Sequence, residues 1–358
     1  MNKKENVDIL FITNVPAFYK INLYNELAKK INIHVIFISN NSNIRNSDFT
    51  NGQMLFKYTI INNINFEKRN KLITLFKIIS KIKNINYKII IYPGWEIKEL
   101  FILSLLLDKK RNAIAIESSI LESDTTGLKK IIKKIYITRM SKAYPSGSLQ
   151  LDILTDLKYQ GEIYITHGVG IPNNAYSSVN TNNKTKKIKK NTDIIYLYVG
   201  RLSPEKNLEL LIHTFNILQN TLYIVGSGDD ESKLKALANS NIKFLGYINN
   251  NEIKNIYLNA DVFILPSKTE PWGLVIDEAI LYNLPVIISD RVGCKDNLLL
   301  NNNGIIFNYN DGNNLLDAIT LMNNNYKKYY ENTLKIDINN FYHKQINAYI
   351  ESINNEEK

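Results

Sequence analysis

Two glutamates, Glu270 and Glu278, are separated by seven residues and follow an apolar run at 261–266. Such a run is typical of a buried parallel strand. Pro271 favours a helix that begins directly after Glu270, which would place Glu278 about two turns inside that helix. Open α/β sheets bind their ligands at the carboxyl ends of the strands. Since carboxylates accept hydrogen bonds from hydroxyl groups, the pair predicts a site for a hydroxylated ligand.

Two basic side chains, Arg201 and Lys206, lie upstream, at the end of another predicted strand. Ser203 is suited to cap a helix that begins at Pro204, and Gly200 lets a ligand approach the backbone closely. A helix N-terminus attracts anions. Arg can hold a diphosphate in bidentate fashion, and Lys adds a point charge. These residues indicate a phosphate site, although two solvated charges beside a helix start would show the same pattern.

A glycine pair, Gly226 and Gly228, ends the next predicted strand. Paired glycines at a strand–helix turn can cradle a phosphate, and they also suit a plain tight turn. The segment lacks the full glycine pattern and the strand-end acid of a dinucleotide fold, so it predicts no NAD site. The sequence also lacks a Cys/His metal cluster, a Gly-x-Ser-x-Gly elbow and a Walker lysine.

Taken together, these segments resemble the GT-B glycosyltransferases of family 4, the retaining enzymes that use nucleotide sugars. The resemblance is specific in the second half of the chain, where the order and spacing of the motifs agree. The matching segments are 200–207, 226–228, 245–247, 260–262, 270–278 and 284–290. The first half is similar more loosely, through segments 145–147 and 166–172.

The resemblance implies roles for these residues. Glu270 would contact the transferred sugar as a catalytic residue, and Glu278 would hydrogen-bond the ribose hydroxyls of the donor. The other donor-binding residues that it implies are Gly200, Arg201, Lys206, Gly226, Trp272, Gly273 and Leu274. Cations and a helix N-terminus can stabilise a departing diphosphate, so we expect no metal and no other cofactor. The alternative is that Glu270 is a helix N-terminal charge and Glu278 a surface acid.

The first half departs from the family pattern in two places. Many members carry a glycine pair in the first strand–helix loop, whereas segment 13–19 has no glycine. Many members also place a histidine after the fifth strand, where this chain has Glu117. Glu117 is therefore predicted either as a catalytic residue that faces the sugar or as a loop acid, and His167 is a second candidate at a strand end. The residues predicted on the acceptor side are Asn14, Pro16 and Tyr19.

Short apolar runs alternate with amphipathic ones along both halves, which predicts α/β domains with helices on both faces of a parallel sheet. In the first half the predicted strands are 7–13, 33–39, 87–92, 113–116 and 163–166. The predicted helices there are 19–30, 66–83, 96–107, 128–139 and 148–158. In the second half the predicted strands are 194–199, 222–225, 242–245, 262–265 and 286–289, with helices between them.

This alternation and the resemblance predict a GT-B architecture, with two Rossmann-like doubly wound domains, an interdomain cleft and a C-terminal helical tail. Residues 1–168 would form the acceptor-binding domain and residues 193–325 the donor-binding domain. Between them, residues 169–192 have the Asn, Ser, Thr and Lys content of a polar linker. The helices of 326–358 are expected to pack back towards the N-terminal domain.

The net charge is +10, with 44 Lys and Arg against 34 Asp and Glu. A basic balance favours anionic partners, although heavy use of Asn, Ile and Lys throughout the chain explains it equally well. Two of the predicted helices, 66–83 and 128–139, interleave Lys or Arg with apolar residues over 68–83 and 129–136. Such helices can lie on anionic lipid. The alternative is a solvated basic face above a buried Ile stripe.

The single cysteine, Cys294, excludes an intrachain disulfide and is compatible with a reducing cytoplasm. No apolar run reaches the length of a transmembrane helix. We therefore expect a cytoplasmic protein, and the basic helices leave open a peripheral position on the inner face of the cell membrane.

The expected function is that of a retaining glycosyltransferase. It would move a hexose-type sugar from a UDP- or GDP-sugar to a hydroxyl of a growing glycan, such as lipid-linked surface polysaccharide or lipopolysaccharide. Two alternatives stay open at this point: a GT-B type nucleotide-sugar epimerase, and a non-catalytic basic protein that binds membrane or nucleic acid. For the transferase we expect no nucleic-acid partner.

Overall fold

The computed structural model describes residues 4–44, 47–123, 125–173, 194–250 and 252–354. The chain divides into two compact units, the first comprising Met1–Asn173 with Phe341–Lys358 and the second Asn174–Asn340. Most of the predicted linker, residues 174–192, lies outside the described residues.

Within the described residues, the first unit contains a seven-stranded parallel sheet. Its strands are β1 (Glu5–Thr13), β2 (Ile33–Asn41), β3 (Lys57–Asn65), β4 (Ile85–Pro93), β5 (Asn112–Ile116), β6 (Lys142–Pro145) and β7 (Glu162–Ile163). They lie in the order β3-β2-β1-β4-β5-β6-β7. β1 and β2 are rich in Ile, Val and Phe and are buried along most of their length, as expected of strands covered on both faces.

The helices of the first unit that lie between its strands are α1 (Phe18–Ala28), α2 (Lys71–Ile82), α3 (Lys98–Leu106), α4 (Gly127–Ile137) and α5 (Ser148–Asp156). α2, α3, α4 and α5 share one hydrophobic cluster with the sheet, to which they contribute Ile78, Leu103, Ile137 and Ile153. Leu10 of β1 also belongs to this cluster. These four helices therefore cover the same face of the sheet.

The second unit contains a six-stranded parallel sheet within the described residues. Its strands are β8 (Ile195–Val199), β9 (Thr221–Val225), β10 (Ile242–Gly246), β11 (Val262–Leu265), β12 (Val286–Ser289) and β13 (Gly304–Phe307). They lie in the order β10-β9-β8-β11-β12-β13. The order changes direction between β8 and β11, and such switch points are where doubly wound sheets bind ligands.

The helices that follow β8 are α6 (Leu208–Ile217), α7 (Glu231–Leu237), α8 (Ile253–Asn259), α9 (Leu274–Leu281), α10 (Lys295–Leu298), α11 (Gly312–Thr333) and α12 (Ile338–Asn354). Most of α12 belongs to the first unit. There Tyr349 packs on Phe11 and Tyr144, with ring centroids 5.6 and 4.9 Å apart. Because side chains alternate along a strand, Phe11 points away from the face that holds Leu10. α12 therefore covers the opposite face of the first sheet.

The predicted α/β class with two Rossmann-like domains is confirmed. Three strands, β3, β6 and β13, were not predicted, and the predicted strand at 163–166 is reduced to the short β7. β3 is an edge strand whose asparagines interrupt the apolar run, and β13 has only four residues. β6 contains Lys142, whose buried ammonium donates to the carbonyl of Ser352 in α12. Strands that are short or contain polar and charged residues lack the apolar run by which the other strands were predicted.

Candidate active site

The candidate site lies in the second unit, where the loops that follow β8 and β11 meet. These strands are direct neighbours, with Val262 opposite Tyr196. The amide of Lys268 donates to the carbonyl of Glu205 over 2.8 Å, which ties the two loops together. The structure therefore brings the predicted basic segment and the predicted glutamate segment to one place, at the switch point of the sheet.

Lys206 and Glu270 form the central contact of this site. The ammonium lies 2.6 Å from the Glu270 carboxylate, and the two side chains are only 13% and 14% exposed. An ammonium has three donors and a carboxylate about four acceptor positions. Each group can therefore hold the other and still bind a further partner, an anion at Lys206 and a hydroxyl at Glu270.

A glycine in left-handed conformation fixes Glu270. Gly273 has φ +99°, and a Cβ placed on it would lie 3.1 Å from Val292 and 3.4 Å from the Glu270 side chain. Glu270 also bridges to Val292 as an isolated strand pair, and its carbonyl accepts from the amide of Gly293 over 2.9 Å. Backbone contacts thus hold the loop before α9 against the loop that follows β12.

The predicted start of the helix after Glu270 was wrong. Gly273 interrupts the chain, so α9 begins at Leu274 and not directly after Glu270. Glu278 is the fifth residue of α9, which places it about one turn inside the helix and not two. Pro271 belongs to the loop.

Glu278 is partly buried and accepts a hydrogen bond from the Tyr257 hydroxyl over 2.7 Å. Burial raises the pKa of Glu278 to about 7, although the hydrogen bond from Tyr257 acts in the opposite direction. The tyrosine aims one carboxylate oxygen and leaves the other for a further donor. Tyr257 was missed at the sequence level, because nothing in the pattern of α8 links it to a helix that follows two elements later.

The side chain of Asp277, next to Glu278, is buried in the protein interior. It is 1% exposed, and the indole N–H of Trp272 donates to it over 2.9 Å. Burial raises the pKa of Asp277 to about 8. The carbonyl of Trp272 accepts from the amide of Cys294 over 3.0 Å. The side chain of Trp272 therefore anchors the loop between Glu270 and α9, and its predicted role at the donor rests on its backbone amide.

The two glycine segments pack backbone to backbone. A Cβ on Gly226, which has φ +135°, would lie 1.9 Å from the carbonyl oxygen of Gly200. A Cβ on Gly228 would lie 2.3 Å from the carbonyl oxygen of Leu202. The amide of Leu202 donates to the carbonyl of Ser227 over 2.9 Å. Close packing of these loops is thus one physical reason for glycine here, and phosphate binding stays a prediction.

The basic segment differs from prediction in its local structure. Ser203 caps no helix, since its hydroxyl donates to the Glu205 carboxylate over 2.7 Å. The predicted helix start at Pro204 is a short 3₁₀ turn, and α6 begins only at Leu208 because Asn207 adopts φ +58°. Lys206 therefore lies in the turn before the helix.

Arg201 lies at the surface of the same segment. Its guanidinium pairs with Glu205 over 2.9 Å, and the two side chains are 50% and 37% exposed. An exposed pair of this kind is weak, so the guanidinium can exchange Glu205 for a stronger anion at little cost.

The predicted acceptor-side residues lie in the first unit, after β1. The amide of Ser39 donates to the carbonyl of Asn14 over 2.9 Å, and the Asn14 side-chain oxygen is buried without a hydrogen-bond partner. Pro16 is buried, and Tyr19 is half-buried in α1. The Tyr19 carbonyl accepts from the amide of Ile171 over 2.9 Å. The structure thus places all three predicted residues around one loop.

Glu117 follows β5 in the first unit and forms an ion pair with Lys20 of α1. The Lys20 side chain is 11% exposed and that of Glu117 is 37% exposed. Sequence reasoning missed Lys20, because it stands 97 residues from its partner in an otherwise ordinary helix. His167 adopts φ +55°, and burial together with nearby Lys344 lowers its pKa.

None of the helices in the described ranges has the length and hydropathy needed to cross a bilayer. The same ranges contain no group of three or more His, Cys, Asp or Glu side chains placed to hold a metal ion.

Residues 179–335 match the family model described as "Glycosyl transferases group 1", a segment within the second unit. A glycosyltransferase of Methanocaldococcus jannaschii called uncharacterized is 36% identical over 118 residues, 30% of each chain. A 41.2 kDa protein in the cps region of Klebsiella pneumoniae is 25% identical over 246 residues, 64% of this chain and 66% of that one. The alpha-monoglucosyldiacylglycerol synthase of Acholeplasma laidlawii is 29% identical over 176 residues, 45% and 44% of the two chains. The chain spans less than two thirds of the length of each of these relatives.

Solved structures are similar over nearly the whole chain. HepE of Anabaena in complex with UDP-glucose has a TM-score of 0.69 at 16% identity, with 97% of this chain and 100% of that chain covered. The lipopolysaccharide outer core galactosyltransferase WaaB has a TM-score of 0.68 at 18% identity, with 96% and 99% covered. At such identities the likeness shows the fold, which is GT-B.

Proposed function

We propose that this chain is a glycosyltransferase that uses a nucleotide diphosphate sugar. The observation that carries the proposal is the Lys206–Glu270 pair at the switch point of the second sheet, with Glu278 on the adjoining helix. This arrangement offers one cation and two carboxylates to a ligand that has both phosphates and hydroxyls. The match of residues 179–335 to a glycosyltransferase family model supports the same reading.

In the proposed donor complex, Lys206 contacts the diphosphate and Arg201 leaves Glu205 to hold it in bidentate fashion. Glu278 accepts hydrogen bonds from the ribose hydroxyls, with Tyr257 fixing the orientation of its carboxylate. Glu270 accepts hydrogen bonds from the hydroxyls of the transferred sugar.

Transfer breaks the bond between the sugar and the diphosphate, and negative charge develops on the departing diphosphate. Lys206 is already fixed in a poorly solvated position, so it can stabilise this charge with little reorganisation. In this proposal the reaction requires no metal ion. We further propose that the anomeric configuration is retained, on the strength of the ordered motifs shared with the retaining family.

The proposed acceptor is a hydroxyl of a growing surface glycan or glycolipid. Three similar proteins support this class by their names: the alpha-monoglucosyldiacylglycerol synthase, the protein in the cps region and the lipopolysaccharide outer core galactosyltransferase. A UDP-sugar is favoured by the UDP-glucose complex of HepE, and a GDP-sugar stays the second candidate. We place Asn14, Pro16 and Tyr19 on the acceptor side and keep Glu117 as a candidate catalytic residue.

A thermal-shift screen with UDP, GDP and their sugars tests the donor site. We expect one nucleotide diphosphate to stabilise the wild type, and Lys206→Ala and Glu278→Ala to abolish the shift. The matched controls are Lys243→Ala and Glu252→Ala, which remove one exposed cation and one exposed carboxylate from the same unit and should leave the shift unchanged. No response of the wild type to any nucleotide would contradict the proposal.

A further inference from the structure

Exposed apolar side chains are concentrated on three helices of the first unit. Of the 23 exposed large hydrophobic residues among those described, ten lie on α2, α3 and α4. They are Leu72, Ile73, Phe76, Ile102, Leu105, Leu106, Leu128, Ile131, Ile132 and Ile135. Single exposed apolar residues are ordinary, but a contiguous group marks an interaction surface.

The three helices are adjacent. α2 packs against α3, and α3 meets α4 where the rings of Phe101 and Tyr136 lie 5.3 Å apart. The guanidinium of Arg139, just after α4, donates to the carbonyls of Ser104 and Leu107 over 3.3 and 3.0 Å. All three helices bury their inner sides in the same cluster. Their outer sides therefore form one layer, which we call the three-helix surface.

α4 contributes the clearest part of this surface. Leu128, Ile131, Ile132 and Ile135 have the i, i+3, i+4, i+7 spacing of one helix face, with exposures of 71%, 56%, 49% and 49%. The helix buries only its last two residues. The alternative of a buried Ile stripe beneath a solvated basic face was therefore wrong for α4, because the apolar stripe is itself exposed.

The charge of the three-helix surface is positive. α2 contains three lysines, α3 one and α4 four, whereas the only carboxylate in the three helices is that of Glu99. Glu99 is 2% exposed and pairs with Arg69 over 2.6 Å. Arg69, which the sequence placed among the basic residues of this face, is thus engaged in the interior. The exposed charges that these helices themselves contribute are therefore cations beside apolar side chains, and one of them, Lys130, pairs with Asp156 over 2.7 Å.

We propose that the three-helix surface docks on an anionic phospholipid bilayer. Apolar side chains can enter the boundary between headgroups and acyl chains while the flanking lysines meet anionic headgroups. A second copy of this chain would fit less well, because a symmetric contact would place the lysines of one copy against those of the other. This surface does not depend on the proposed donor chemistry, which lies in the other unit.

Flotation of the full chain with vesicles tests the proposal. We expect binding to phosphatidylcholine vesicles with about 30 mol % phosphatidylglycerol and no binding to pure phosphatidylcholine, since the anionic leaflet attracts the lysines. Lys129→Gln with Lys134→Gln should weaken binding about 30-fold, at roughly fivefold for each cation. Ile131→Ser with Ile135→Ser should also reduce it.

Matched controls come from exposed helix positions of the second unit. Ile217→Ser with Leu321→Ser, and Lys327→Gln with Lys328→Gln, remove the same residue types elsewhere and should leave flotation unchanged. Each variant is first shown to unfold at the wild-type temperature and to keep the wild-type nucleotide response. A loss of flotation can then be attributed to the changed three-helix surface and not to unfolding or to a change in the donor site.

Three results would overturn the proposal. The wild type could fail to float with anionic vesicles, or the α4 variants could float as the wild type does. A concentration-dependent dimer that the Ile131→Ser, Ile135→Ser variant abolishes, without vesicle binding, would assign the surface to self-association instead.

Discussion

Lys206 and Glu270 form an ion pair in which both side chains are largely removed from solvent. The charge of each side chain is therefore compensated mainly by the other. Lys206→Ala would leave the Glu270 carboxylate unpaired, and we expect a loss of about 1–3 kcal/mol in the free energy of unfolding. Urea unfolding measures this loss. Glu270→Ala should cost a similar amount, and the double variant should cost less than the sum of the two because the shared contact is lost only once.

The exposed ion pair of Arg201 and Glu205 is the control for this comparison of single and double variants. We expect Arg201→Ala to leave the free energy of unfolding nearly unchanged, since solvent screens a pair that is 50% and 37% exposed. Strict additivity of Lys206→Ala and Glu270→Ala would show that the ion pair contributes nothing to stability.

Glu278 should make nucleotide binding depend on pH. Its pKa is raised by burial to about 7, so its carboxylate gains charge as the pH rises through that value. An ionised carboxylate is the better acceptor for ribose hydroxyls. We therefore expect the affinity for the nucleotide diphosphate to rise by up to about tenfold between pH 6 and pH 8. Calorimetric titration at several pH values measures this affinity. The Glu278→Gln variant is the control, because any pH dependence that it keeps comes from ionisation of the phosphate itself.

The same group has the opposite effect on folding. A carboxyl whose pKa is higher in the folded than in the unfolded chain binds more protons when folded, so its contribution to stability is present at low pH and falls as the pH rises towards 7. Asp277 acts in the same direction up to about pH 8. A Glu278→Gln variant whose stability and nucleotide affinity follow the wild-type pH profile would show that Glu278 does not titrate in this range.

At the scale of the elements, the loops after β8 and β9 depend on close backbone contact. Gly226→Ala would place a Cβ 1.9 Å from the Gly200 carbonyl oxygen, in addition to the cost of its positive φ. We expect this variant to be destabilised by several kcal/mol, or not to fold, because the loop that carries Arg201 must shift. Thermal unfolding and nucleotide binding both report the change.

Gly246 offers a matched control at the end of the neighbouring strand β10. It also has a positive φ, +69°, but a Cβ there would meet nothing within 4 Å. Gly246→Ala should therefore cost only the conformational penalty, about 1 kcal/mol. Equal losses for the two variants would mean that the contact with Gly200 is unimportant.

Element boundaries near the site could be predicted only in part. Apolar runs predicted β8 and β11 because a strand covered on both faces must be apolar throughout. The helix starts were misplaced at Pro204 and Pro271, since proline is compatible with a first helical turn but does not impose one. Asn207 and Gly273, in left-handed conformation, decide where α6 and α9 begin.

At the scale of the whole molecule, the regular alternation of strands and helices was sufficient to predict two doubly wound sheets. It could not predict the side-chain pairs, because these join residues that are far apart in the chain. Lys206 and Glu270 are 64 positions apart, and Lys20 and Glu117 are 97 apart. Nor could it predict that the α4 stripe is exposed, since an apolar periodicity has the same form whether the face is buried or not.

Release of nucleotide diphosphate from its sugar donor is the most direct measurement of the proposed activity. With the donor chosen by thermal shift, and with excess EDTA present, we expect the wild type to release the nucleotide, slowly with water and faster with an acceptor glycan. Lys206→Ala should reduce the rate about 10²–10³-fold, because one preorganised charge is lost from the departing diphosphate. Release by Lys206→Ala at the wild-type rate, or no release by the wild type with any nucleotide sugar, would contradict the proposed donor site.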